Sequence, residues 1–253
     1  MKLALLADVH ANREALEAVL AHAREQGVER FVFLGDLVGY GADPEWVVGR
    51  VMELVAAGAV AVQGNHDAAV RDRSRTMEGA AQAVIDWTRG QLGQEQRAFL
   101  SGLPLAHEED GRLFLHAEAA APRSWTYVND ANDAGRSIRA TSCRVTFCGH
   151  VHKPAIYSMS EMWSSVSEMW KMNSFRPVPG APVPFLSQRR WLAVLGSVGQ
   201  PRDGDPASSY AFFDTAKAEI TYLRVPYDVE AAADKIRAVG LPWTLAERLR
   251  KGR

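Results

Sequence analysis

Against the polar positions, short apolar, β-prone runs recur at Leu3 to Ala7, Arg30 to Leu34, Ala59 to Gln63, Arg112 to Leu115 and Arg144 to Phe147. The stretches between the first three have helical period instead. Arg13 to Arg24 puts Leu16, Val19, Leu20 and Ala23 on one face, and Pro44 to Ala57 does the same with Val47, Val51, Leu54 and Val55 behind a proline suited to a helix start. Strand, helix, strand, helix, strand predicts a layered α/β sheet, whose ligands collect at the carboxyl ends of its strands. A second series of strands follows at Trp191 to Leu195, Tyr210 to Asp214 and Glu219 to Val225. The last two form a hairpin through Thr215 to Ala218.

Residues 157 to 190 break this rhythm. Ser160-Glu161-Met162-Trp163 recurs seven positions later as Ser167-Glu168-Met169-Trp170, and a proline-rich stretch from Pro177 to Pro184 follows. The heptad offset predicts a helix with Met162, Trp163, Val166, Met169 and Trp170 in one apolar stripe, started by Ser158 and Glu161 at capping-box spacing. Such a stripe either packs on its own domain or serves as a lid or a contact between copies in a homo-oligomer.

Length and composition leave room for one domain over residues 1–253, with 157–190 as an insert: 47% apolar content supports a sizeable core. A formal charge of -1 gives no footprint for long nucleic acid or an acidic membrane surface, so a nucleotide substrate needs local cations. Cys143 and Cys148 lie five apart on one apolar segment, on opposite strand faces, and read as reduced core cysteines of a cytoplasmic protein. The apolar run Leu3 to Ala7 is too short for a signal peptide or a membrane span.

Chemistry concentrates where the strands end. Asp8-Val9-His10, Gly35-Asp36, Gly64-Asn65-His66-Asp67 and Gly149-His150-Val151-His152 each follow a strand, and His116 ends another. Alone, each has a structural alternative: a capping aspartate, a strand-end turn, an Asx turn, a buried core histidine. Together they form a nitrogen and oxygen donor set without thiolate, suited to two transition-metal ions that act on a phosphate ester. Asp36 has two oxygens with which to bridge a pair of ions, and Asn65 offers an amide oxygen. His66 is left free to act as an acid or to bind phosphate, with Asp67 to steer it. Arg202 is a candidate phosphate contact through its guanidinium fork.

The ordered series Asp-x-His, Gly-Asp, Gly-Asn-His-Asp, His and Gly-His-x-His resembles the calcineurin-like metallophosphoesterase superfamily. Gly196-Ser197-Val198-Gly199-Gln200-Pro201-Arg202-Asp203 resembles its small prokaryotic branch of phosphodiesterases and relatives of diadenosine tetraphosphatase. The resemblance implies a four-layer α/β/β/α sandwich with Asp8, His10 and His152 on one ion, Asn65, His116 and His150 on the other, and Asp36 between them. By the same resemblance His66 protonates the leaving oxygen, a metal-bridging hydroxide attacks phosphorus, and the ions are Mn before Fe, Zn, Ni or Co. A small phosphodiester or other nucleotide-type ester is the expected substrate. Dinucleoside polyphosphate hydrolysis, protein phosphatase activity, or a non-catalytic scaffold that uses Trp163 and Trp170 as a partner surface are the alternatives.

Overall fold

A computed structural model describes residues 1–72, 79–163 and 168–253. In chain order the elements are β1 (Lys2–Leu6), α1 (Arg13–Glu25), β2 (Arg30–Phe33), α2 (Pro44–Ala56), β3 (Val60–Ala61), α3 (Asn65–Arg71), α4 (Ala80–Gln91) and α5 (Gln94–Gly102). There follow β4 (Ala106–Glu109), β5 (Arg112–Leu115), α6 (Ala131–Arg139), β6 (Val145–Cys148), β7 (Ala155–Trp163), β8 (Glu168–Phe175) and β9 (Pro182–Pro184). The chain ends with β10 (Arg190–Val194), β11 (Ser208–Asp214), β12 (Glu219–Val225), α7 (Val229–Ala238) and α8 (Trp243–Lys251).

The strands form two six-stranded sheets, ordered β3-β2-β1-β11-β12-β9 and β4-β5-β6-β10-β7-β8. Alternation along each central strand explains why the sheets stack. In β1, Leu3 and Leu5 face the second sheet, while Ala4 and Leu6 face the helices. In β6, Val145 and Phe147 face the first sheet, and Cys148 faces outward. Phe114, Phe147, Phe185 and Phe213 fill the space between, with Phe147 and Phe213 edge to face at 5.2 Å. Helices α1 and α2 cover the first sheet and α6 covers the second, which completes the α/β/β/α sandwich. Helices α7 and α8 pack against each other and enclose Val84 of α4. Lys235 of α7 is tied to Asp43 at the start of α2 by a 2.9 Å ion pair.

Each sheet contains a parallel trio, β1 with β2 and β3, and β6 with β5 and β10. All their carboxyl ends emerge at one edge of the sandwich, and every motif singled out above follows one of these strands. The third strand is shorter than its apolar run. After Ala61 the Gln63 N–H turns away to the Pro104 carbonyl, so the chain can reach Gly64 and start α3. The Thr215–Ala218 hairpin forms as expected, with Asp214 opposite Glu219.

The helix expected from the heptad repeat is a β-hairpin. In β7 and β8, Glu161 lies opposite Trp170, Met162 opposite Met169 and Trp163 opposite Glu168. A four-residue motif repeated at a distance of seven folds onto itself antiparallel as readily as it winds into a helix. Here β10 offers the deciding edge: Leu192 pairs with Tyr157 and Val194 with Ala155, which makes residues 155–159 a strand that runs on into the first copy, where β8 alone pairs with it. Ser158, assigned above to a helix cap, sits in that strand with its hydroxyl on Arg189. Val166 lies outside the described residues, as do the side chains of the stripe.

Cys143 and Cys148 are free and buried. Cys143 precedes β6, so strand alternation does not separate them as expected. Both face the same outer cluster beneath α6.

Candidate metal centre

Asp8, His10, Asp36, His150 and His152 all have positive φ, between 50° and 68°. L-residues adopt this region at a cost, and a run of such residues at strand ends marks a backbone held for the sake of side-chain direction. Hydrogen bonds between loops hold it. The Asp8 N–H donates to the Gly35 carbonyl, His10 to Asp36, Gly149 to His116, and Gly199 to the Asp8 carbonyl. Gly64 is required by contact: a Cβ there would fall 2.2 Å from the Asp36 backbone nitrogen.

These loops bring the expected ligands together. Asp8, His10 and His152 form one cluster and Asp36, His116 and His150 another, while His10, Asp36 and His66 form a third that joins them. In each, the ligand atoms lie within 4.8 Å of one another, and each could hold a metal ion. Asp36 Oδ2 stands 3.3 Å from His116 Nε2, 3.8 Å from His10 Nε2 and 4.0 Å from His66 Nε2. Asn65, the first residue of α3, places its Oδ1 3.1 Å from His116 Nε2. All but Asn65 are buried.

The outward-facing ring nitrogens decide what the inward ones can do. His10 Nδ1 meets the Val38 carbonyl at 3.0 Å, His116 Nδ1 the Leu34 carbonyl at 2.8 Å, and His152 Nδ1 the Gln200 carbonyl at 2.6 Å. Each carbonyl needs an N–H, so each neutral ring turns a bare Nε2 toward the centre. His150 is reversed: its Nε2 meets the Trp125 carbonyl at 2.9 Å, and Nδ1 faces inward. Two pairs of these inward nitrogens then stand 3.1 Å (His10 and His152) and 3.0 Å (His116 and His150) apart. Where both rings of a pair are neutral, two lone pairs repel at that distance. Metal–nitrogen bonds of about 2.0–2.1 Å put neighbouring ligands roughly 3 Å apart, so the donor set fits divalent ions.

Electrostatics agree. Burial works to raise Asp8, yet the imidazoles of His152, His116 and His10 bring it down to about 2. Asp36 is held well below the carboxylate range against its own burial, by His116 and His66. Burial lowers His66 to about 4 and, with His116, His150 to about 3. For His116, burial is outweighed by Asp36, which holds the ring up to about 9. Two anionic carboxylates in a dry pocket thus draw on whatever positive charge is near.

Asp67 is not against the ring it was expected to steer. Its Oδ1 accepts from the N–H groups of Leu37 and Val38 at 2.9 and 3.3 Å, and its Oδ2 from Gly64 at 2.9 Å, which clasps the loop of Asp36 to the loop of Asn65. Burial, then the charge of Asp36, pushes its carboxyl up to about 7. His66 lies instead against two rings, Tyr40 at 4.6 Å and His10 at 5.0 Å, with its Nδ1 buried and without a hydrogen-bond partner. Arg202 is half-buried above Tyr40, its guanidinium 5.6 Å from the ring, and donates to Gln200 Oε1.

Sequence reasoning missed Tyr40, Trp125 and Tyr127. Tyr40 has positive φ and a hydroxyl partnered by Arg202, and Trp125 lends its carbonyl to His150 from a left-handed turn. Tyr127 stacks on His150 at 4.0 Å. None sits in a strand-end motif. Only the aromatic density of Trp125-Thr126-Tyr127 after the strand of His116 is a signal, and it points to Trp125 and Tyr127 alone.

Residues 1–218 match the family model of the calcineurin-like phosphoesterase superfamily domain. The chain is 34% identical to an uncharacterized protein of Methanocaldococcus jannaschii, over 99% of this chain and 98% of that one. It is also 34% identical to a metallophosphoesterase from Sphaerobacter thermophilus of known crystal structure, with a TM-score of 0.85 and full coverage of both chains. A hypothetical protein from Pyrococcus horikoshii shares the fold, with a TM-score of 0.76 at 18% identity, covering 100% of this chain and 98% of that one. With the strand-end ligand clusters in place, the chain belongs to the calcineurin-like phosphoesterase superfamily and is a hydrolytic, metal-dependent phosphoesterase by family.

Proposed function

We propose that the protein hydrolyses phosphodiesters at a dinuclear centre. Asp8, His10 and His152 would hold one divalent ion, Asn65, His116 and His150 the other, and Asp36 both. The observation that carries this reading is the position of Asp36: it belongs to two of the three clusters, and its Oδ2 faces histidines from both halves of the site. Ions bound there would offset phosphate charge and make a water molecule acidic enough to attack at neutral pH. Mn is the first candidate, ahead of Fe, Zn, Ni and Co, since a mixed imidazole and carboxylate set admits all of them.

The chain's own groups do the rest. Arg202, hydrogen-bonded to Tyr40 and Gln200, would offer its guanidinium to a non-bridging phosphate oxygen. His66 presents Nε2 to the centre, since a Cβ at Gly39 would lie 2.4 Å from its Nδ1, and from Nε2 it would hand a proton to the leaving oxygen. Asp67 keeps the two ligand loops in register. The substrate is a small phosphate ester or nucleotide rather than long nucleic acid, consistent with a net charge of -1. Two free, buried thiols support a reducing, cytoplasmic setting, and among the described residues no helix is long and apolar enough to cross a membrane. The β7–β8 hairpin is our candidate for contact between copies.

The test is hydrolysis of bis(p-nitrophenyl) phosphate beside p-nitrophenyl phosphate, with each of the five metals added to metal-free protein. Metal-dependent turnover that favours the diester supports the proposal. Preference for the monoester overturns the diester assignment, and no turnover with any metal favours the scaffold reading.

A further inference from the structure

The hairpin that replaces the expected helix has a consequence for substrate. Its open end, where β7 begins at Ala155 and β8 ends at Phe175, stands beside the metal-ligand loop that ends at His152. A groove of about 380 Å³ opens there, lined by Val128, Asn129, Val151, Lys153, Tyr157 and Arg176 among others. Both its walls continue from the centre. One starts at Tyr127, stacked on His150, and the other is the run His150-Val151-His152-Lys153 itself.

Two features give this groove a chemistry. Lys153 and Arg176 are both exposed and line it together, and no carboxylate among the described residues lies within ion-pair distance of either. The nearby acidic groups are already engaged: Asp130 accepts from the first N–H groups of α6, and Asp133 holds Arg136 and the Asn129 N–H. The second feature is aromatic. Phe175, which lines the groove, is 43% exposed, and Tyr127 at its inner end is 44% exposed. Two uncommitted cations and two partly exposed aromatic rings in a cleft of this size are the complement of a flat ring that carries an anion.

We infer that this groove is a second binding subsite, in which Lys153 and Arg176 hold a non-scissile phosphate of a nucleotide-type ester whose base lies on Phe175 or Tyr127. The inference rests on the phosphodiesterase reading for its scissile bond, but the subsite can be measured without turnover. Exposed cations on an anion act through a screened field, so the preference should also shrink as salt rises.

Calorimetric titration of the metal-loaded protein with thymidine 5′-monophosphate and thymidine 3′,5′-bisphosphate reads the subsite directly. The bisphosphate should bind about tenfold tighter, the effect of roughly one charge-assisted hydrogen bond. The double variant Lys153→Gln, Arg176→Gln should bring the ratio to within about twofold of one. Equal affinities in the wild-type protein, or a preference that survives the double variant, would overturn the inference. Turnover of the two matching 5′-p-nitrophenyl esters answers the separate question: if neither is cleaved while the binding preference stands, the diesterase reading fails and the subsite remains.

Discussion

His10 and His152 point their Nε2 atoms at each other across 3.1 Å, although both rings have already given their Nδ1 protons to backbone carbonyls. Burial, with His152 facing it, keeps the His10 pKa well below its ordinary value, so protonation of His10 does not relieve the contact cheaply. A cation does. Metal removal should therefore destabilise the fold as well as stop the reaction. At free metal of 100 times Kd the linked stabilisation is about 2.7 kcal/mol, which for a chain of this size raises Tm by roughly 5–10 °C. Differential scanning calorimetry of chelated and metal-loaded protein checks it. Identical melting curves would mean that the facing imidazoles hold no ion.

Asp36 and His66 should fail in different ways. Asp36→Ala removes the one carboxylate common to two clusters, so we expect metal content, measured by elemental analysis, to fall at both positions and turnover to vanish. His66→Ala should keep its metals and lose a factor of roughly 10² to 10⁴ in kcat, the usual share of a general acid. His66 Nε2 is within 4.0 Å of Asp36, close enough for the third cluster to admit it as a ligand. Loss of an ion in His66→Ala would make it one.

The parts of this molecule legible in its sequence are those where local pattern and tertiary environment ask for the same thing. In β1 and β6 a mostly apolar run matches burial on both faces, and Asp8, Asp36, His116 and His150 follow strands whose ends the apolar runs define to within a residue or two. The repeat around Trp163 and Trp170 is ambiguous because a period of seven is compatible with a helix face and with an antiparallel fold-back. The free edge of β10 that selects the second lies some 30 residues further on. Asp67 was misplaced for a related reason. Adjacency to His66 suggested partnership, but on the first turn of α3 consecutive side chains diverge, and its carboxylate finds backbone amides instead.

Gly39 offers a conservative probe of His66. Its φ is +93°, and an added Cβ would meet His66 Nδ1 at 2.4 Å. Gly39→Ala should cost about 1 kcal/mol from the backbone conformation alone. The ring must also move. Because it is packed against Tyr40 and His10, any shift takes it out of its present place at the centre. We expect kcat to fall by roughly tenfold or more while metal content stays at the wild-type value, since small displacements of a catalytic group are costly. Full activity would show that His66 has more room than its packing suggests.

Asp67→Ala separates a clasp from a catalytic partner. Three backbone N–H groups, of Leu37, Val38 and Gly64, converge on this buried carboxylate. Each one left unpaired costs about 1–3 kcal/mol, so the variant should lose roughly 3 kcal/mol or more and melt about 6–12 °C lower. Because the amides belong to the loops of Asp36 and Asn65, metal affinity should fall with stability. Asp67→Asn keeps one acceptor oxygen in place and should recover part of both. A partner that merely oriented His66 would behave otherwise: stability and metal content would hold in Asp67→Ala while kcat dropped. Melting temperature, metal content and kcat measured on the same two variants distinguish the outcomes, and a drop in kcat alone would return Asp67 to the side of His66.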